Sequence, residues 1–196
     1  MELSDNENGK RLVGKITEGV DKLERIVSNL LAYTAMLTLE TRMTDIGGLA
    51  RDAASSLMGQ HPSVTVTVEI VDGPVYAEFD QPQMKTGLLN LLLNAAEAME
   101  FAGSVAMTVA PGDTMPEISG PAADKLRVEL GKSSNILNSG SPCSMILIQD
   151  YGRGFSEEAL EQLFVPFFTT KENGIGLGLP MARKIIEEHR GEIFIG

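Results

Sequence analysis

Three short runs of this sequence carry residue types that could act on a ligand. In Asn90-Leu91-Leu92-Leu93-Asn94-Ala95-Ala96-Glu97, the residues Asn90, Asn94 and Glu97 are spaced by four and three and so share one face of a helix. An amide buried without a partner costs on the order of 1 to 3 kcal/mol, so a polar stripe on a leucine-rich helix calls for a counterpart. Mg²⁺, which takes oxygen ligands together with waters and phosphate oxygens, would satisfy one of these amides. A helix face that simply meets solvent is the alternative. The second run, Asp150-Tyr151-Gly152-Arg153-Gly154, follows the apolar stretch Met145-Ile146-Leu147-Ile148. A carboxylate at a strand end can accept a hydrogen bond from an exocyclic amine, and the two glycines let a flat ring lie close to the backbone. Such strings also form plain turns. The third run, Gly174-Ile175-Gly176-Leu177-Gly178-Leu179, is a loop opening a helix, with backbone amides able to reach phosphates. Taken in this order, the three runs describe one nucleotide pocket and point to ATP.

Those residues need elements to hold them. Pro82 opens a long helix through Met99, where its missing amide hydrogen needs no partner. Val64 to Ile70 alternates as a half-buried strand does, and Val75 to Phe79, Ser104 to Val109, Lys125 to Leu130 and Ser144 to Gln149 read as further strands. Pro111 to Pro121 and Gly131 to Pro142 are rich in turn residues and read as exposed loops. Ser156 caps a helix with Glu157 and Glu158 in its first turn. A last helix runs from about Leu179 to His189, and Glu192 to Ile195 starts a strand. Upstream, Ile46 to Met58 is a short helix. From Leu12 to about Leu39 the residues Ile16, Val20, Leu23, Val27, Leu30, Thr34 and Leu37 form an a/d seam. Gly14 and Gly19 each cost about 1 kcal/mol of helix propensity, so this seam depends on a partner helix in a hairpin or dimeric bundle. An ordinary core-facing helix is the alternative. Ser4 to Gly9 reads as a turn, the bend of such a hairpin.

The chain has 196 residues, of which 43% are hydrophobic, enough for one core and an appended element. A formal net charge of −11 argues against a general nucleic-acid or anionic-membrane surface. A polyphosphate site must therefore come from backbone amides, a metal and a few lysines. Cys143 is the one cysteine, so no internal disulfide forms. No apolar stretch approaches the roughly 20 residues of a membrane span, which makes the cytoplasm the expected compartment.

Four segments, Asn90 to Met99, Asp150 to Phe155, Leu163 to Lys171 and Gly174 to Leu179, resemble the N box, first glycine box, F box and second glycine box of the sensor histidine kinases of two-component systems. Order and spacing match over nearly all of Val64 to Gly196, and the preceding helix resembles the second arm of the family's dimerization hairpin. The resemblance implies an α+β fold, a Bergerat-type α/β sandwich with a mixed sheet covered on one face by helices, preceded by a long helix. It divides the chain into a hairpin arm at 1–45 and a catalytic ATP-binding domain at 46–196. It also implies ATP and Mg²⁺ as cofactors, with Asn94 binding the metal, Asn90 one turn before it, and Asp150 reading the adenine amine. Gly152 and Gly154 form the base-binding turn, while Gly174, Gly176 and Gly178 hinge the lid. Phe155, Thr169, Thr170, Lys171, Leu177 and Leu179 complete the implied ATP-contacting set. Asn90 and Lys171 are the candidate catalytic residues, Lys171 as a phosphate contact. Phe164, Phe167 and Phe168 read as core aromatics anchoring the lid.

The implied activity is transfer of the γ-phosphoryl group to a histidine on a hairpin arm. The implied partners are that arm, a response-regulator receiver domain and a second copy joined through the N-terminal helix, with no nucleic acid. Any membrane anchor of the full-length protein lies outside this stretch. Two departures qualify this. Glu97 stands where many family members carry a basic residue. The acceptor histidine is also missing, since only His61 and His189 are present and both read as surface or capping residues. The chain therefore reads as a fragment, also short at its C-terminal end. ATPases of the same fold place a glutamate where this chain has Asn90, and an amide cannot accept a proton at neutral pH, which speaks against an ATPase clamp. A nucleotide-dependent interaction module without phosphotransfer is the alternative function.

Overall fold

The computed structural model describes residues 2–34, 38–112, 143–171 and 174–195. The chain divides into two units, Met1–Met36 and Leu37–Gly196. The first is a single helix, α1 (Glu2–Thr34). Ile16, Val20, Leu23 and Val27 of its seam are all more than half exposed. Ser4 to Gly9, expected as a turn, lies inside this helix. The segment contains no proline, and asparagine and glycine lower helix propensity by only about 1 kcal/mol or less each, which an otherwise continuous helix tolerates.

The second unit begins with β1 (Arg42–Asp45), which pairs antiparallel with β3 (Tyr76–Phe79). β1 was not anticipated, being short, polar and stabilised only by a partner more than thirty residues away. Asp45 caps α2 (Ile46–Gln60), its carboxylate accepting from the Gly47 amide at 2.9 Å. α2 buries Ile46, Leu49, Ala50, Ala53, Ala54 and Leu57, the three-and-four spacing of one helical stripe. β2 (Val64–Ile70) runs parallel to β4 (Gly103–Pro111), which runs antiparallel to β5 (Ser144–Gln149). The sheet is therefore mixed, in the order β2-β4-β5. Register places Val66 beside Val105 and Val109 beside Ile146 on one face, and Thr67 beside Ala106 on the other. The valine face packs with α2 and α3 (Gln81–Ala98) in one buried cluster, so helices cover one side of the sheet as the α+β expectation required.

α4 (Glu157–Gln162) starts at Ser156, whose hydroxyl accepts from the Ala159 amide. α5 (Gly178–Glu188) buries Pro180, Met181, Ala182 and Ile185. A Cβ on Gly87 would stand 3.5 Å from Ile185, so a glycine on α3 lets the two helices approach closely. Glu192 to Ile195, expected as the start of a strand, is not one in the structure. The expected strand Lys125 to Leu130 and nearly all of the two expected loops lie outside the described residues.

One buried carboxylate ties these elements together. Asp80, 7% exposed, accepts from the Gln83 amide at the start of α3 and from the Glu40 amide, at 3.0 and 2.9 Å. Its own amide donates to His189 Nε2 at the end of α5, at 3.0 Å. Because that donor is a backbone N–H, Nε2 is an acceptor and the ring proton sits on Nδ1, which donates to the Ile185 carbonyl at 2.7 Å. The hydrogen bond from Gln83, and then that from Glu40, hold the Asp80 carboxyl below its ordinary value of 3.8. Its folded pKa lies below the unfolded one, so its contribution is complete above the unfolded value and is lost as pH falls through the folded value. Asp80→Ala is expected to lower stability by about 1 to 3 kcal/mol at neutral pH, since it strands two amide donors. Urea titrations of both proteins should show that gap starting to shrink as pH drops below about 4, where the unfolded chain's carboxylate takes up its proton, and closing as pH falls through the lower folded value.

Candidate functional site

The polar face of α3 is the platform. Asn90 and Asn94 are half-buried along it and Glu97 is exposed, while Leu88, Leu92, Ala95 and Ala96 turn inward. Three loops meet this face at successive turns. At its C-terminal end the Asp150 loop packs against Ala98. The Gly152 amide donates to Asp150 Oδ1 at 2.8 Å, and the Arg153 amide approaches the Ala98 carbonyl at 3.4 Å. A Cβ on Gly152 would fall 2.6 Å from the Ala98 Cβ and 2.7 Å from its carbonyl oxygen, so only glycine fits. Asp150 is thereby held at the end of β5.

One turn back, Lys171 reaches across from the segment after α4. Its ammonium donates to Asn94 Oδ1 at 2.9 Å and forms an ion pair with Glu97. The Lys171 amide in turn donates to Thr169 Oγ1 at 3.1 Å, and the Gly174 amide to the Lys171 carbonyl at 3.2 Å. At the other end of this stretch, Gly178 lies beside Asn90, a Cβ there being 3.9 Å from Asn90 Oδ1. α5 begins at Gly178 with no side-chain cap, leaving the amides of its first turn to face an anion or solvent.

The phenylalanine segment is locked to the glycine loop. The Phe167 amide donates to the Gly176 carbonyl at 2.9 Å, and Gly176 has φ +69°, where a Cβ would strike the Phe168 carbonyl. Phe167 itself has φ +67° and is 56% exposed, so it is not the core aromatic expected; Phe164 and Phe168 are half-buried. The Arg183 guanidinium lies 4.9 Å from the centre of the Phe164 ring, fastening the segment to α5.

Asn90, Asn94, Asp150, Gly152, Lys171 and Gly178 thus converge on or beside one helix face, while Gly176 meets the phenylalanine segment. Thr169 supports Lys171, whereas Thr170 is exposed and Phe155 is 39% exposed. Leu177 is buried, so it can meet a ligand only through its backbone. Gly154, at φ +67°, has open space about it, and Leu179 is half-buried. Sequence reasoning took Glu97 for a departure and missed its pairing with Lys171. Ala98, the seat of the Asp150 loop, was missed as well. No sequence signal joins Glu97 to a lysine 74 residues away.

A mixed sheet covered on one side by helices, with an amide face, a carboxylate loop and a glycine loop meeting on one helix, is an α/β sandwich. Residues 79–196 match the family described as histidine kinase-, DNA gyrase B-, and HSP90-like ATPases, and the chain belongs to it. Domains of this family bind ATP. Among curated relatives, the chain is 29% identical over 184 residues to sporulation kinase E of Bacillus subtilis (strain 168), covering 92% of this chain and 21% of that kinase. Among solved structures it is similar to the nucleotide-free catalytic domain of histidine kinase ThkA, at TM-score 0.55 and 25% identity, covering 76% of this chain and 83% of that one. It is also similar in fold to histidine kinase ThkA in complex with response regulator protein TrrA, at TM-score 0.62 and 24% identity, covering 93% and 45%. The chain spans about a fifth of the length of the sporulation kinase it matches.

Proposed function

We propose that this chain is the ATP-binding catalytic part of a sensor histidine kinase. It delivers the γ-phosphoryl group to a histidine on a hairpin arm supplied from outside this sequence, for relay to a response regulator. The observation that carries this reading is the convergence of Asn94, Lys171, the Asp150 loop and the uncapped start of α5 on one face of α3. In this reading Leu37–Gly196 form the catalytic domain and Met1–Met36 the second hairpin arm, because β1, short of the boundary expected at residue 45, pairs with β3. The exposed seam of α1 is what a helix awaiting an arm and a second copy presents.

Each residue then has a task. Asp150, already holding the Gly152 amide with Oδ1, accepts the adenine amine with Oδ2, and Gly152 and Gly154 admit the ring. The first-turn amides of α5 and the Lys171 ammonium face phosphate oxygens. The donor set suits Mg²⁺: Asn94 presents an amide oxygen that already holds a cation, and no three His, Cys, Asp or Glu side chains among the described residues are grouped so as to hold a metal ion. A hard ion taking one protein oxygen, waters and phosphate oxygens matches that arrangement. When bound, the ion neutralises phosphate charge. Asn90 offers an amide where a base would be needed to activate water, so the chain positions phosphate while hydrolysis stays slow.

The two histidines of the chain have other work. His189 spends both ring nitrogens on Asp80 and Ile185, and His61 stacks on Phe101 with ring centres 4.3 Å apart. The chain incubated alone with labelled ATP and Mg²⁺ is therefore expected to form no acid-labile, alkali-stable phosphoprotein and to release little phosphate. Label should appear on a co-incubated hairpin bearing an acceptor histidine. Label on His61 or His189, or brisk hydrolysis abolished by Asn90→Ala, would contradict the assignment. For the adenine contact, Asp150→Ala should weaken ATP binding about ten- to over a hundredfold and erase preference over GTP, the loss of a hydrogen bond to a charged group. Calorimetry giving both proteins one affinity and one preference would move the adenine elsewhere.

A further inference from the structure

The ion pair of Glu97 with Lys171 has no place in phosphoryl transfer as described, yet it sits at the centre of the site. Lys171 has two partners, the Glu97 carboxylate and Asn94 Oδ1, and the side chains of Lys171 and Glu97 are 32% and 39% exposed. Asn94 Oδ1 is the oxygen assigned to the metal. An ammonium and a magnesium ion cannot occupy the same face of one amide oxygen, because each needs direct contact and they repel. Lys171 is suited to yield: its charge is a point on a flexible four-carbon stem with three donors, and its backbone is fixed through Thr169.

We propose that Glu97 is a positioning residue that holds the Lys171 ammonium against Asn94 Oδ1 and governs its release to phosphate. When a metal-bound nucleotide enters, Lys171 leaves Asn94 and turns to the phosphates, while Glu97 keeps it within reach. No covalent bond changes; one cation replaces another. The consequence is a site whose own carboxylate competes with phosphate for Lys171. Free, metal-less nucleotide feels that competition most, since Lys171 is the only side-chain cation assigned to it. Glu97 thus sets the preference for metal-bound over metal-free nucleotide. This inference rests on the assignment of Asn94 and Lys171 to the nucleotide site.

The test uses the full chain, Glu97→Gln, and the exchange variant Glu97→Lys/Lys171→Glu. Glu97 and Lys171 lie at the surface, so none of these changes disturbs the core. In the nucleotide-free state, hydrogen exchange over residues 163–171 should quicken in Glu97→Gln and return towards the parent rate in the exchange variant, which restores the pair with its charges swapped. Calorimetry with ATP should show Glu97→Gln binding metal-free nucleotide about two- to fivefold more tightly than the parent, the range expected of a solvent-screened pair. The gain with Mg²⁺ present should be smaller. Equal exchange in parent and Glu97→Gln, or an equal gain with and without the metal, would overturn the proposal. If the parent binds ATP and Asn94→Ala abolishes the metal dependence in those same experiments, the nucleotide site stands and Glu97 alone is misassigned. No binding by the parent overturns both.

Discussion

The arrangement depends on α3 being held at a fixed distance and angle from α5, and Asp80 is the residue that does this. Its carboxylate closes the amino end of α3 and secures the chain at Glu40, while its amide reaches the imidazole that terminates α5. Gly87 completes the contact by letting Ile185 approach the helix. With both helices fixed, Asn90 faces Gly178, and the uncapped amides of α5 open beside the amide face of α3. A helix start free to drift by even an ångström would offer its dipole to phosphate poorly.

The same helix organises the rest of the site through its other turns. Ala98 seats the carboxylate loop, and Asn94 and Glu97 capture Lys171. A single α-helix rises about 1.5 Å per residue, so residues 90 to 98 span roughly 12 Å, long enough to align a base contact at one end and a phosphate contact at the other. The inward face of that stretch belongs to the core against the sheet. Placement of the polar groups is therefore as rigid as the packing beneath them.

What was legible in the sequence follows from this division. The spacing of Asn90, Asn94 and Glu97 disclosed a face because a helix imposes its period locally. Val64 to Ile70 disclosed a strand because one side of it is buried, and the glycines at 152 and 176 stand where side chains would collide with backbone. Less accessible were features made by distant chain segments meeting. β1 exists only through β3, and the Lys171 pairing joins residues far apart. Asp80 is one acidic residue among 27, with nothing in its neighbours to announce His189 as a partner. The reading of Phe167 as core erred because hydrophobic character alone does not fix burial; a left-handed backbone at that residue turns its ring outward.

A crystal structure of the chain with Mg²⁺ and a non-hydrolysable ATP analogue would test the placement of the nucleotide on α3 outright. The adenine amine is expected on Asp150, the metal on Asn94 Oδ1, the phosphates between Lys171 and the first turn of α5, and the Lys171 ammonium displaced from Asn94. A nucleotide bound away from the polar face of α3, or one bound there with Asp150 turned from the base, would contradict that placement.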